Sequence, residues 1–247
     1  MRGIEFGGSA PLFCIPLVAN DLEALLAQAR VAHDLAPDAV EWRADSYDSL
    51  SVENIIEAAR QLRTILDREL ILFTLRVHTE GGKREINQVV RANCIEGILR
   101  TGLVDLVDVE LCNGAQFIEP IVKTARGEGK GLILSYHDFE GTPATEFLLS
   151  KISEMIGHGA DIAKLACMPK TRGDVLRMLE ATLLARNAFP ATPLCTMSMG
   201  ALGSLSRVAG FLYGSDMAFA VGQEISAPGQ IPIAEARRIA LSLLQYG

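Results

Sequence analysis

A single lysine lies inside an apolar stretch of the chain, where it could do amine chemistry. In "GADIAKLACMPKT", residues 159–171, Lys164 is flanked by Ala163 and Leu165. One interpretation is that its stem packs along apolar neighbours while its ammonium group reaches water. The other is that burial and nearby cations lower its pKa, since both disfavour the ammonium form, and a neutral amine attacks carbonyl carbon. Lys164 is therefore a candidate imine-forming nucleophile.

Other ionisable side chains occur at or just after the ends of separate apolar stretches. They are Glu41, Arg43, Arg76, Glu80, His137 and Arg207. Glu41 and Arg43 are two positions apart, so in a strand they share a face. Each residue also has a structural alternative: an internal salt bridge, a hydrogen-bonded strand histidine, or turn glycines in the "MGALG" segment before Arg207. Because the residues recur at the same end of different stretches, we interpret them as one site.

The arginines and the lysine together indicate a class of substrate. Three guanidiniums in a chain of net charge -7 suggest a bound anion, because arginine recognises carboxylate and phosphate with paired hydrogen bonds. An amine nucleophile requires a carbonyl, so a small keto acid or a phosphorylated sugar would fit both. His137 would move protons. Glu80 would hold its ring in one tautomer and raise its basicity.

The elements that would position these residues repeat along the chain. Eight apolar, β-rich runs alternate with amphipathic stretches, which is typical of a parallel sheet with crossover helices. The runs begin at Leu12, Ala39, Leu70, Leu103, Gly131, Asp161, Pro193 and Asp216. A (β/α)8 barrel takes about 250 residues, whereas an open doubly wound sheet usually has fewer strands. We therefore predict an α/β fold, a TIM barrel, with the chemistry at the carboxyl ends of its strands.

The N-terminal segment and the number of domains complete the predicted organisation of the chain. The segment "MRGIEFGGSAP" precedes the first predicted strand, and we expect it to form a short hairpin covering the barrel bottom. No Pro/Ser-rich linker or low-complexity segment divides the chain, so we expect one catalytic domain over residues 1–247.

Composition argues against several kinds of partner. The chain has 23 Lys+Arg against 30 Asp+Glu, which disfavours a nucleic-acid partner. No apolar run approaches the roughly 18–20 residues that span a bilayer, so we expect no membrane association. The five cysteines show no C-x-x-C spacing, which favours reduced thiols in a cytoplasmic protein. The four histidines show no H-x-H spacing, and we expect no metal.

Six motifs carry a resemblance to a known family. They are "EWRAD", "TLRVHTEGG", "SYHDF", "AKLACMP", "SMGALGSLSR" and "SAPGQ". Together, and in this order, they resemble the type I 3-dehydroquinate dehydratases, Schiff-base hydro-lyases of the shikimate pathway for aromatic amino acid biosynthesis. The resemblance covers roughly four fifths of the chain. It implies a TIM barrel that requires no cofactor and is often a homodimer.

The resemblance also implies a role for each matching residue. Lys164 would form an imine with the C3 ketone of 3-dehydroquinate, His137 would carry the C2 proton to the departing C1 hydroxyl, and Glu80 would orient His137. Arg207 would bind the substrate carboxylate. The other implied contacts are Glu41, Arg43, Arg76 and Gln230 for hydroxyls and site order, Ser226 in a closing loop, and Met197, Met199 and Phe219 as apolar walls.

Three alternatives compete with this interpretation. A class I aldolase would share the imine but break a carbon–carbon bond, and the glycines after the seventh strand would suit its phosphate. A catalytically silent barrel could bind a metabolite, although Lys164, His137 and Glu80 together argue against lost activity. A metal-dependent hydrolase lacks an obvious ligand set.

Overall fold

Eight strands alternate with eight helices in the computed structural model, which describes residues 3–4, 6–222 and 231–246. The strands are β1 (Leu12–Leu17), β2 (Ala39–Arg43), β3 (Leu70–Thr74), β4 (Leu106–Glu110), β5 (Gly131–Asp138), β6 (Ile162–Cys167), β7 (Leu194–Ser198) and β8 (Met217–Phe219). The helices are α1 (Leu22–Asp34), α2 (Val52–Ile65), α3 (Gln88–Leu99), α4 (Ala115–Gly127), α5 (Thr145–Gly157), α6 (Arg172–Ala188), α7 (Ser204–Ala209) and α8 (Ile233–Tyr246).

The strands pair in parallel in the order β7-β6-β5-β4-β3-β2-β1-β8, so the first strand lies between the second and the last. This is the predicted (β/α)8 TIM barrel, and the fold class is confirmed. The strands form because short apolar runs are buried on both faces, as in β3, where every residue is buried. Side chains cap several helix N-termini: Asp21, Ser51 and Thr171 each accept a backbone N–H.

Seven of the predicted strands begin within one residue of the observed position, and β4 is the exception. It starts at Leu106 because the preceding residues form a turn after α3. In that turn, Gly102 has a φ of +72° and the Thr101 hydroxyl accepts from the backbone N–H of Leu103. Apolar residues of a turn were therefore counted as strand.

The expected N-terminal hairpin is wrong for the part of this segment that the structure describes. Residues 3–4 and 6–11 contain turns and bends and no strand. Ile4 and Phe6 instead pack against the buried cluster inside the barrel, which includes Leu70 and Met217. The segment covers the barrel interior with two apolar side chains rather than with a sheet.

Side chains close the barrel between β7 and β8. These two strands share no backbone ladder among the described residues. The Asp216 carboxylate accepts from the Leu194 N–H at 2.6 Å, and the Ser215 hydroxyl accepts from the Thr196 N–H at 3.0 Å. The Asp216 N–H also donates to the Leu194 carbonyl at 2.7 Å.

None of the described helices is both long enough and apolar enough to cross a membrane. The eight helices instead surround the barrel and bury one face each against the strands.

Candidate active site

All ten of the predicted site residues that the structure describes line one cavity of about 150 Å³. They are Glu41, Arg43, Arg76, Glu80, His137, Lys164, Met197, Met199, Arg207 and Phe219. The residues come from the carboxyl ends of β2, β3, β5, β6, β7 and β8 or from the segments that follow them. The other two, Ser226 and Gln230, lie outside the described residues.

Lys164 projects from β6 into this cavity and is 4% exposed. Its Nζ donates to Asp108 Oδ2 at 2.8 Å and lies 3.6 Å from Glu41 Oε1. The same nitrogen lies 4.4 Å from the centre of the Phe219 ring, in a cation–π contact. The ammonium group therefore stays inside the protein, and the interpretation that it reaches water is wrong.

The pKa of Lys164 does not fall as expected. Burial lowers it, and so does Arg76, but Asp108 and Glu41 outweigh both and raise the pKa above its ordinary value of 10.5. Lys164 is consequently an ammonium ion at neutral pH before substrate enters. The cations that line the cavity predict a lowered pKa, but the carboxylate nearest to the amine, Asp108, has the larger effect.

That carboxylate, Asp108, joins three elements. Its Oδ2 accepts from Lys164 and from Arg76, and its Oδ1 accepts from Arg76 at 2.8 Å and from the Ser135 hydroxyl at 2.6 Å. These cations hold the pKa of Asp108 well below its ordinary range, although burial acts in the opposite direction. A signal for it existed in the sequence, since Asp108 and Glu110 are two apart in the apolar strand β4 and so share a face.

The three arginines of the cavity have different surroundings. Arg76 is bound by Asp108 and by Glu110, at 3.0 Å from the latter. Arg43 is paired with Asp45, its Nε and Nη2 donating at 2.8 and 2.9 Å. Arg207 contacts Met197 Sδ and the Phe219 carbonyl, each at 3.5 Å.

Electrostatics make Arg207 the best anion site of the three. Burial lowers its pKa to about 10, whereas the pKa values of Arg43 and Arg76 are raised by neighbouring carboxylates despite their burial. A lowered arginine pKa means that its surroundings do not compensate fully for removing the charge from water. An anion bound beside Arg207 would supply that compensation.

His137 and Glu80 form a hydrogen-bonded pair. Glu80 Oε2 lies 2.9 Å from His137 Nδ1 and also accepts from the His137 backbone N–H at 2.9 Å. Burial, Arg76 and Lys164 lower the pKa of His137 well below 6.5, so its ring is neutral. With Nδ1–H donating to Glu80, Nε2 carries the lone pair, and this hydrogen bond would hold the ring in one tautomer. The expected rise in the basicity of His137 is wrong, because burial and the neighbouring cations outweigh Asp108, which acts in the opposite direction.

Glu80 itself titrates near neutrality. Burial raises its pKa to about 7, while a hydrogen bond from the Cys112 thiol and the charge of Arg76 act in the opposite direction. Cys112 was not predicted as a site residue, because it lies just after β4 and belongs to none of the six family motifs.

Two glycines shape the turn that carries Glu80. Gly81 has a φ of +87°, a backbone angle that residues other than glycine rarely adopt. At Gly82, a Cβ would lie 2.3 Å from the Arg76 carbonyl oxygen. The "EGG" sequence therefore lets the backbone fold tightly against the end of β3 and places the Glu80 carboxylate beside His137.

Comparison with known proteins identifies the family of this chain. The model of the type I 3-dehydroquinase family matches residues 13–246. The 3-dehydroquinate dehydratase of Geobacillus thermodenitrificans is 41% identical over 248 residues, covering 100% of this chain and 96% of that protein. The crystal structure of 3-dehydroquinate dehydratase from Geobacillus kaustophilus superposes with a TM-score of 0.97 at 42% identity, covering 100% of this chain and 96% of that one. The type I enzyme from Clostridium difficile, solved with covalently modified comenic acid, gives 0.96 at 33% identity, covering 100% and 97%.

Proposed function

Since the chain belongs to the type I 3-dehydroquinase family, we propose that Lys164, His137 and Glu80 are the residues with which it dehydrates 3-dehydroquinate to 3-dehydroshikimate. The reaction makes the protein a hydro-lyase of the shikimate pathway. Membership of this family excludes the class I aldolase alternative. The observation that best supports these residue roles is a buried lysine in the same cavity as a neutral histidine held by a carboxylate.

The proposed reaction begins with an imine. The Lys164 amine attacks the C3 carbonyl carbon, and loss of water leaves an iminium ion. This cation draws electrons from the adjacent C2–H bond, and His137 Nε2 accepts the proton. The resulting enamine expels the C1 hydroxyl, to which His137 returns the proton as water forms. Hydrolysis of the imine then releases the product and restores the amine.

The carboxylates around Lys164 have opposite effects on two steps. Asp108 and Glu41 favour the ammonium form, so they slow the attack, which needs a neutral amine. The same carboxylates stabilise the iminium ion, because the positive charge stays on the nitrogen 2.8 Å from Asp108. We infer that the arrangement favours the intermediate in which the proton transfer occurs.

The remaining site residues bind and enclose the substrate in this proposal. Arg207 pairs with the carboxylate, as its lowered pKa of about 10 suggests. Glu41 and Arg43 contact hydroxyls, and Arg76 orders the carboxylates beneath them. Met197, Met199 and Phe219 form apolar walls. The roles predicted for Ser226 and Gln230, which lie outside the described residues, stay predictions. No metal or organic cofactor takes part, and residues 1–247 act as one catalytic domain.

Borohydride trapping tests the imine. Reduction during turnover should fix a stable adduct on Lys164, located by peptide mass mapping, while product is followed by the ultraviolet absorbance of its conjugated enone. Lys164→Ala should lose both adduct and turnover. Lys170→Ala, an exposed lysine just after the same strand, is the matched control and should retain both. Normal turnover by Lys164→Ala would refute the proposed mechanism.

We also propose that the protein is a cytoplasmic homodimer. Its five free cysteines are consistent with a reducing compartment. Exposed leucines on neighbouring elements would suit a subunit interface: Leu176 and Leu183 on α6, and Leu212 in the adjoining 3-10 turn Gly210–Tyr213. Analytical ultracentrifugation should give a dimer that Leu176→Glu weakens. A monomer at all accessible concentrations would contradict this assembly.

A further inference from the structure

A second group of potential ligands lies at the end of the barrel opposite the cavity. His33 is in the last turn of α1, and Asp67 and Glu69 lie between α2 and the start of β3. One ligand atom from each of the three side chains lies within 4.8 Å of the other two. The sequence did not suggest a site, because His33 is far from Asp67 along the chain and the two meet only after folding.

Glu69 has one buried carboxyl oxygen without a hydrogen-bond partner in the part of the chain that the structure describes. Its side chain is 2% exposed, and Oε1 lies 3.0 Å from His33 Nδ1. Its other oxygen, Oε2, is buried and has no hydrogen-bond partner among the described residues. Buried carboxylate oxygens are almost always paired, and an unpaired one indicates a bound water or ion.

We propose that His33, Asp67 and Glu69 bind a divalent transition-metal ion, with Zn²⁺ as the representative. Imidazole nitrogen and carboxylate oxygen are both zinc ligands, and three protein ligands leave a fourth position for water. Bonds of about 2.0–2.2 Å place tetrahedral ligands about 3.3–3.6 Å apart. His33 Nδ1 and Glu69 Oε1 are 3.0 Å apart, so they need to separate by only a few tenths of an ångström to reach that spacing. Asp67 can move to join them, because its side chain is 68% exposed.

Arg68 places a positive charge beside the proposed metal site. Its Nη2 lies 3.2 Å from His33 Nε2, and its Nε lies 3.6 Å from Asp67 Oδ1. The Arg68 side chain is 70% exposed and can turn toward solvent when an ion binds. A positive charge at this position weakens cation binding, so its removal should strengthen it.

The bound ion stabilises the folded state and takes no part in the reaction. It connects the end of α1 to the segment before β3, at the end of the barrel away from Lys164 and His137. An ion that binds only the folded state stabilises it by RT ln(1 + [L]/Kd), so the unfolding temperature rises with the concentration of Zn²⁺. Magnesium and calcium, which prefer all-oxygen shells, should bind far more weakly. This differs from the sequence expectation that the chain binds no metal.

Calorimetric titration of the chelator-treated full chain with Zn²⁺ tests the proposal. We expect one ion per chain, at least about tenfold weaker binding in His33→Ala and in Asp67→Asn, and tighter binding in Arg68→Ala. Because Asp67 is exposed, its variant should fold even if others do not. His158→Ala, a histidine at the C-cap of α5, is the control and should bind as the unaltered chain does.

Thermal unfolding gives an independent result. Zn²⁺ should raise the unfolding temperature of the unaltered chain and of His158→Ala but not of His33→Ala, and dehydratase activity should be the same in all three without added metal. The proposal would be overturned if the unaltered chain did not bind Zn²⁺, or if His33→Ala and Asp67→Asn bound it with the same affinity as the unaltered chain.

Discussion

Replacement of Glu80 by glutamine should stabilise the protein in a pH-dependent way while impairing catalysis. The carboxyl has a raised pKa in the folded state, because the fold buries it. A buried acid whose folded pKa exceeds its unfolded value takes up a proton on folding, so stability is greatest at low pH and falls as the pH rises. The amide of Glu80→Gln has no such dependence.

The size of the effect follows from the pKa values. In the folded protein the pKa of Glu80 is about 7, against an ordinary value of 4.5. At about 1.36 kcal/mol per unit, ionisation of Glu80 costs the fold roughly 3 kcal/mol above pH 7. For a chain of this length, 1 kcal/mol corresponds to about 2–4 °C of unfolding temperature. The unfolding temperature of Glu80→Gln minus that of the unaltered protein should therefore be roughly 6–12 °C larger at pH 8 than at low pH.

Thermal unfolding followed by circular dichroism from pH 4.5 to pH 8.5 measures this difference directly. Groups that titrate in both proteins cancel when the two unfolding temperatures are subtracted. Glu140→Gln, an exposed glutamate beyond the same histidine, should show no pH-dependent gain. A constant difference between Glu80→Gln and the unaltered protein across the range would refute the assignment of a raised pKa to Glu80.

Three further variants test other parts of the site. Asp108→Asn removes the buried partner of Lys164 and should cost about 3–5 kcal/mol of stability by thermal unfolding, and it should shift the acid limb of kcat/KM to lower pH as the pKa of Lys164 falls. Arg207→Ala should raise KM about tenfold to a hundredfold in steady-state kinetics; an unchanged KM would mean that the carboxylate binds elsewhere. Gly82→Ala places a methyl group against the Arg76 carbonyl, so both unfolding temperature and kcat should fall; full retention of both would contradict the contact.

The sequence predicted the barrel and the charged residues of the cavity because both depend on local patterns, whereas Met197, Met199 and Phe219 were implied by the family resemblance alone. A buried parallel strand such as β3 is a continuous apolar run, and a polar residue at its carboxyl end stands out. The charge state of Lys164 could not be predicted in this way, because its decisive partner, Asp108, is 56 positions away and meets it only in the folded barrel. His33 and Glu69 escaped notice for the same reason, being 36 positions apart.

The closure between β7 and β8 has a consequence for how the protein tolerates mutation. Where two strands share a backbone ladder, many side chains can be exchanged without loss of the hydrogen bonds. Between these two strands, Ser215 and Asp216 supply bonds that depend on side-chain identity. Replacing either side chain therefore removes a hydrogen bond beside Met197 and Phe219 that no backbone ladder replaces, so this strand pair should tolerate fewer substitutions than the others of the barrel.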